Sequence, residues 1–170
     1  MRDDLDDYLI SIGKVAIAAA FLEEVVIHWG AWLSDNPQGT LLKRLHRGLD
    51  KNLDFLADRV EERISSAKKK PVLDLIETSR SLKNKRNENI HGVWSVVANS
   101  KTVVMCSRYE KDATGNLSWD DLSTPSIFEL KRLAGDLNKN ARDLNDLLTK
   151  LWDDEEDVQS WKSRSQRKTI

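Results

Sequence analysis

A chain of 170 residues fits one domain, with room for a core that needs neither disulfides nor a structural metal. Its 27 basic residues against 28 acidic ones exclude a global field of the kind that marks a nucleic-acid or membrane-surface protein, so any such partner must be held locally. Cys106 is the lone cysteine, which excludes an internal disulfide framework and a cysteine metal cage and suits a reducing cytoplasm.

Asp3, Asp4, Asp6 and Asp7 stand where a secretion signal would need a basic region. The most apolar stretch, residues 15–22, stops at Glu23 and Glu24, far short of the roughly 20 residues needed to cross a bilayer. A cytoplasmic protein with no membrane partner is expected. A first helix is predicted over residues 5–34, its early aspartates set against the positive end of the helix dipole and Asp35-Asn36-Pro37 closing it. Ile12, Val15, Ala19, Leu22, Val26, Trp29 and Leu33 form one apolar stripe, and Ile17, Phe21, Val25, His28 and Trp32 a second beside it. A helix apolar over so much of its surface is expected to pack on two sides, against its own bundle and against a second copy of the chain.

A second helix is predicted over residues 40–64, with Leu42, Leu45, Leu49, Leu53, Leu56, Val60 and Ile64 at three- and four-residue steps. The run Lys68-Lys69-Lys70 reads as a solvated linker. A third helix is expected from Pro71, carrying Val72, Leu75, Ile76, Ser79, Leu82, Arg86 and Ile90 on one face. After His91 the period becomes that of a strand. Val93 to Val97 and Thr102 to Met105 read as a β-hairpin turning at residues 99–101, with a short third strand at residues 117–119. A fourth helix is expected from Thr124-Pro125, with Ile127, Leu130, Ala134, Leu137, Ala141, Leu144, Leu148 and Leu151 as a heptad-like seam. The expected architecture is mainly α, a four-helix up-and-down bundle with a β-hairpin inserted between helices three and four. It spans residues 1–152 and leaves 153–170 as a charged, flexible tail.

Chemistry concentrates at the end of helix three. Arginine presents a planar, permanently charged fork that matches a phosphate, and histidine moves protons near neutral pH. In RNA cleavage without metal, His91 would take the proton from a 2′-hydroxyl and Arg86 would stabilise charge on the phosphorus oxygens. Asn87, four residues before His91, is placed to orient the imidazole or bind a phosphate oxygen. Residues five apart on an ideal helix point roughly 140° from each other. Arg86 and His91 therefore converge only if the helix ends between them, for which Gly92 is suited, or if two chains share one cleft. Arg86 also interrupts an apolar stripe, where a guanidinium needs a partner or a solvated cleft; Glu23 and Glu24, at the margins of the apolar arc of helix one, are the candidates to pair with it. The competing reading of the same residues is a structural arginine–glutamate pair with a capping histidine. His28 and His46 lack metal-ligand spacing, and neither a Gly-rich phosphate loop nor a nucleophile elbow is present. No metal or cofactor is expected.

Two long helices, a third ending in Arg86-Asn87…His91, a hairpin and a last helix resemble the HEPN superfamily, whose motif is arginine, four to six residues, then histidine, often with a polar residue after the arginine. The resemblance implies a homodimer acting as a metal-independent endoribonuclease on RNA, in a toxin–antitoxin or defence setting with an antitoxin partner, and Arg86, Asn87 and His91 as its catalytic residues. Some HEPN proteins are inactive, so the alternative is a non-catalytic dimeric module that binds protein or RNA; a helical dimerisation protein without a site is the third reading.

Overall fold

The computed structural model describes residues 2–44, 47–90, 93–96, 104–111, 117–122 and 124–153. Among these residues five helices are formed: α1 (Arg2–Trp32), α2 (Pro37–Arg44), α3 (Leu49–Arg63), α4 (Ser66–Ile90) and α5 (Ile127–Asp153). The fold is mainly α. Between α4 and α5 lie three strands, β1 (Val93–Val96), β2 (Val104–Lys111) and β3 (Leu117–Leu122), paired antiparallel in the order β1-β2-β3. The register sets Trp94 opposite Cys106 and Tyr109 opposite Trp119. The turn expected at 99–101 and the tail beyond Asp153 lie outside the described residues. Among those residues no helix is long and apolar enough to cross a membrane.

The expected second helix is two helices. Asn36 caps α2, its Oδ1 accepting from the Gly39 N–H at 3.0 Å, and Pro37 occupies the first helical position, where its missing N–H is harmless. α2 ends at Arg44, Gly48 is extended, and α3 starts at Leu49. The corner is tied by Asn52, which is buried and whose Nδ2 donates to the carbonyls of Arg47 at 2.8 Å and Arg44 at 3.4 Å. Leu42, expected in the buried stripe, consequently faces solvent. Periodicity cannot reveal such a break, because apolar residues keep their three- and four-residue steps across it while the axis turns.

The break also sets chain direction. Gly30 of α1 lies against Phe55 and Leu56, and Asp35 just beyond α1 pairs with Arg63 at 2.6 Å, so α3 runs parallel to α1. A Cβ on Gly30 would come within 3.0 Å of the Phe55 ring, so the glycine permits this approach. α4 runs antiparallel to α3, through Lys83–Asp50 at 2.5 Å, Arg80–Asp54 at 2.6 Å and Lys69–Glu61 at 2.8 Å. It is also antiparallel to α5, where Asn140 Nδ2 donates to Ser79 Oγ at 2.7 Å. α5 then runs with α1, joined near their ends by Trp29 Nε1 donating to Asn145 Oδ1 at 3.0 Å. Three of the four long helices thus point one way. That corrects a plain up-and-down bundle of four, and short α2 supplies the missing reversal.

Two helix starts also differ from expectation. α4 begins at Ser66, so Pro71 lies inside it and Lys68, Lys69 and Lys70 occupy its first turns, with Lys69 and Lys70 paired to Glu61 and Asp74 rather than forming a linker. α5 begins after Ser126 rather than Thr124, because Ser126 builds a reciprocal capping box: Ser126 Oγ accepts from the Glu129 N–H at 3.2 Å and Glu129 Oε2 accepts from the Ser126 N–H at 2.7 Å.

The core fills the space between α1, α3, α4 and α5 with Val15, Leu22, Val26, Leu53, Leu56, Val60, Ile76, Leu130, Leu137 and Leu144, all at most 1% exposed. The first stripe of α1 is thereby buried, with Ile12 and Trp29 partly so. Its second stripe divides: Val25 is buried, whereas Ile17 is 72%, Phe21 36% and Trp32 44% exposed in the single chain, and His28 is exposed beside Trp32.

Leu144→Ala removes a fully buried side chain and is expected to cost about 2–5 kcal/mol, read by urea unfolding. The bonds from the Ser126 backbone, then from its hydroxyl, hold the Glu129 carboxyl below the usual carboxylate range. A depressed folded pKa stabilises above the unfolded value and loses that effect as pH falls through the folded one. Glu129→Gln is therefore expected to melt below the wild type at neutral pH, with the gap closing as pH falls from about 5.

Candidate functional site

On α4, Lys83, Arg86 and Asn87 stand three and four residues apart and so share a face. Opposite them α1 presents Ala16, Ala19, Ala20 and Glu23 with the same spacing, and the start of α3 closes the third side with Gly48, Leu49, Asp50 and Lys51. Alanine is too small to fill the gap between the helices. What remains is an open cleft of about 450 Å³, with Leu137 of α5 contributing apolar wall.

The cleft unites Arg86, Asn87 and Glu23. Arg86 and Asn87 are both half-buried, and Arg86 Nη1 donates to Asn87 Oδ1 at 3.0 Å. That bond turns the Asn87 carbonyl oxygen toward the guanidinium, so Asn87 acts on Arg86 as well as on whatever occupies the cleft. Of the two glutamates considered as partners, Glu23 lines the cleft; Glu24 is exposed and is not among the lining residues. Arg86 thus stands at the border of the apolar stripe of α4, where the stripe opens into the cleft. His91 and Gly92 lie outside the described residues; in the chain they directly follow Ile90, the last residue of α4.

Three charged residues of the cleft were not singled out from the sequence: Lys83, Asp50 and Lys51. Lys83 Nζ meets Asp50 Oδ2 at 2.5 Å, and this pair forms part of the wall. Lys83 had a signal in its spacing from Arg86. Asp50 and Lys51 had none, because their place in the cleft depends on the α2–α3 corner. With three cations, Lys51, Lys83 and Arg86, against Glu23 and Asp50, the cleft suits an anion with polar surroundings more than a hydrophobic ligand. Among the described residues no three His, Cys, Asp or Glu side chains gather as a metal site requires.

Glu23→Gln removes one of the two carboxylates and is expected to tighten inorganic phosphate binding, with the largest amide shifts at Arg86 and Asn87 in a phosphate titration followed by NMR; unchanged affinity would show that Glu23 does not oppose anions there. No family model matches the chain, and no curated protein or solved structure matches it.

Proposed function

We propose that this chain is a HEPN-type homodimer that cleaves RNA without a metal ion, in a toxin–antitoxin or defence setting. In this reading the four long helices are the HEPN frame and the sheet that begins with β1 and β2 is its insert. The observation that carries the proposal is the half-buried Arg86–Asn87 pair opening into a polar cleft in which cations outnumber carboxylates by one, near the end of α4, with His91 next in the chain after Ile90. His91 accepts the proton of the 2′-hydroxyl, the 2′-oxygen attacks phosphorus to close a 2′,3′-cyclic phosphate, and the bond to the 5′-oxygen breaks, that oxygen leaving as a hydroxyl with a proton from solvent. Arg86 stabilises the charge gathered on the non-bridging oxygens, and Asn87 holds the guanidinium in place. The exposed apolar side of α1, with Ile17, Phe21 and Trp32, supports a second copy as its cover. A cytoplasmic location and an antitoxin that covers the cleft belong to the same reading.

The second reading is a non-catalytic HEPN-like module, favoured by one observation: a carbonyl oxygen already occupies Arg86 Nη1, as it would in a structural clamp. Incubation with RNA in excess chelator separates the two. Arg86→Ala is expected to lower cleavage by on the order of 10²–10³ and His91→Ala by on the order of 10²–10⁴, with circular dichroism and light scattering confirming that both variants stay folded and dimeric. Cleavage that survives unchanged in both would sink the assignment of the site.

A further inference from the structure

The α2–α3 corner carries an arginine cluster that the cleft does not include. Arg44, the last residue of α2, lays its guanidinium over the Phe55 ring with 3.7 Å from Cζ to the centroid, and Arg59 approaches the same ring at 5.2 Å. Each geometry is a cation–π contact, and together they cover an aromatic face with positive charge. Arg47 lies on the exposed turn between the two helices, and Lys43 is exposed beside Arg44. Burial first, then the positive charges of Arg47 and Arg59, depress the Arg44 pKa, and Asp58 opposes them in part. Two carboxylates of early α3 are committed across to α4, Asp50 to Lys83 and Asp54 to Arg80, which leaves Asp58 and Glu62 of the same helix facing the cluster.

The members of the cluster are not equivalent. Arg59 is gripped by Glu62, Nη1 at 2.7 Å from Oε2 and Nη2 at 2.9 Å from Oε1. It therefore fixes Phe55 and adds potential without offering its fork to a ligand. Arg44 Nη1 donates to the Lys51 carbonyl at 3.3 Å, which spends one donor of five and ties the cluster to a residue of the cleft. Lys51 is thus shared between the corner and the Arg86 site.

We propose that Arg44 and Arg47, with Lys43, bind the phosphodiester backbone of a single-stranded RNA that continues past Lys51 into the Arg86 cleft. The inference rests on the ribonuclease reading for the nature of the polymer, and on the arginine–phenylalanine geometry for the site. The Arg44 guanidinium, already held on the Phe55 ring, loses little further freedom on meeting phosphate, and Arg47 and Lys43 add exposed charge beside it. Because Phe55 is covered by guanidiniums, the corner reads backbone charge and leaves base stacking aside. A membrane surface fits less well: α2 has only eight residues, and Leu42 is its one large exposed apolar side chain.

The test is fluorescence anisotropy of a fluorescein-labelled oligouridylate with the full chain, over a range of salt. Arg47→Glu, on an exposed turn, should preserve the fold; Arg44→Gln/Arg47→Gln is the paired variant, and thermal melts monitor both. Expected is binding by the wild type, weakened roughly tenfold by Arg47→Glu, and a salt slope lowered by about 1.4 in the paired variant, since each lost phosphate contact on a single strand removes about 0.7. Wild-type affinity and slope in both variants would overturn the inference, as would a wild type that fails to bind. Binding to phosphatidylserine vesicles but not to RNA, lost in Arg47→Glu, would also overturn it by assigning the corner to a membrane. Weakened binding by the variants, alongside a wild type that cuts no RNA, would uphold the corner while rejecting the ribonuclease reading; RNA cut normally with binding unmoved would do the reverse.

Discussion

One buried asparagine governs much of this molecule. Asn52 donates to two carbonyls across the α2–α3 corner, at Arg47 and Arg44, and so holds a sharp reversal in a stretch whose apolar spacing alone would permit one continuous helix. Its Oδ1 is buried with no hydrogen-bond partner among the described residues, a cost the fold accepts for keeping the corner closed. The reversal turns α3 parallel to α1. It also brings the first turn of α3 against α4, and through that single effect creates the third wall of the cleft.

The cleft is the product of size and charge together. Ala16, Ala19 and Ala20 of α1 are too small to meet α4 at that level, whereas above it Leu22 and Val26 pack to full burial. A gap between helices would ordinarily close by relaxation. Here Lys83 of α4 and Asp50 of α3 wall one side as a partly exposed pair, and the half-buried Arg86 and Asn87 add polar surface to it. Polar residues therefore keep open a space that apolar ones would collapse.

Elsewhere, polar residues inside the bundle set register. Asn140 of α5 donates to Ser79 Oγ, and Asn145 accepts from the Trp29 indole. Leucine seams tolerate sliding by a turn, but each of these bonds is satisfied in one alignment only. They fix α5 against both α4 and α1, and with it the level at which Leu137 meets the cleft. Around this determined interior, α1 keeps a second apolar side in solvent, so the chain carries surface that its own core does not use.

Spacing within single helices was enough to read the helical class, the inward stripe of α1 and the seam of α5, because each repeats along one axis. The capping box of Ser126 and Glu129 is equally local, and it sets the start of α5 two residues beyond the Thr124-Pro125 signal. Packing between helices set the partition of residues 40–64 into two helices, the parallel course of α1 and α3, and the presence of Glu23, Asp50 and Lys51 in the cleft lining. Those outcomes depend on which helix faces which, and at what level. Helical periodicity carries no information about either, since it repeats identically along an axis whatever that axis is packed against.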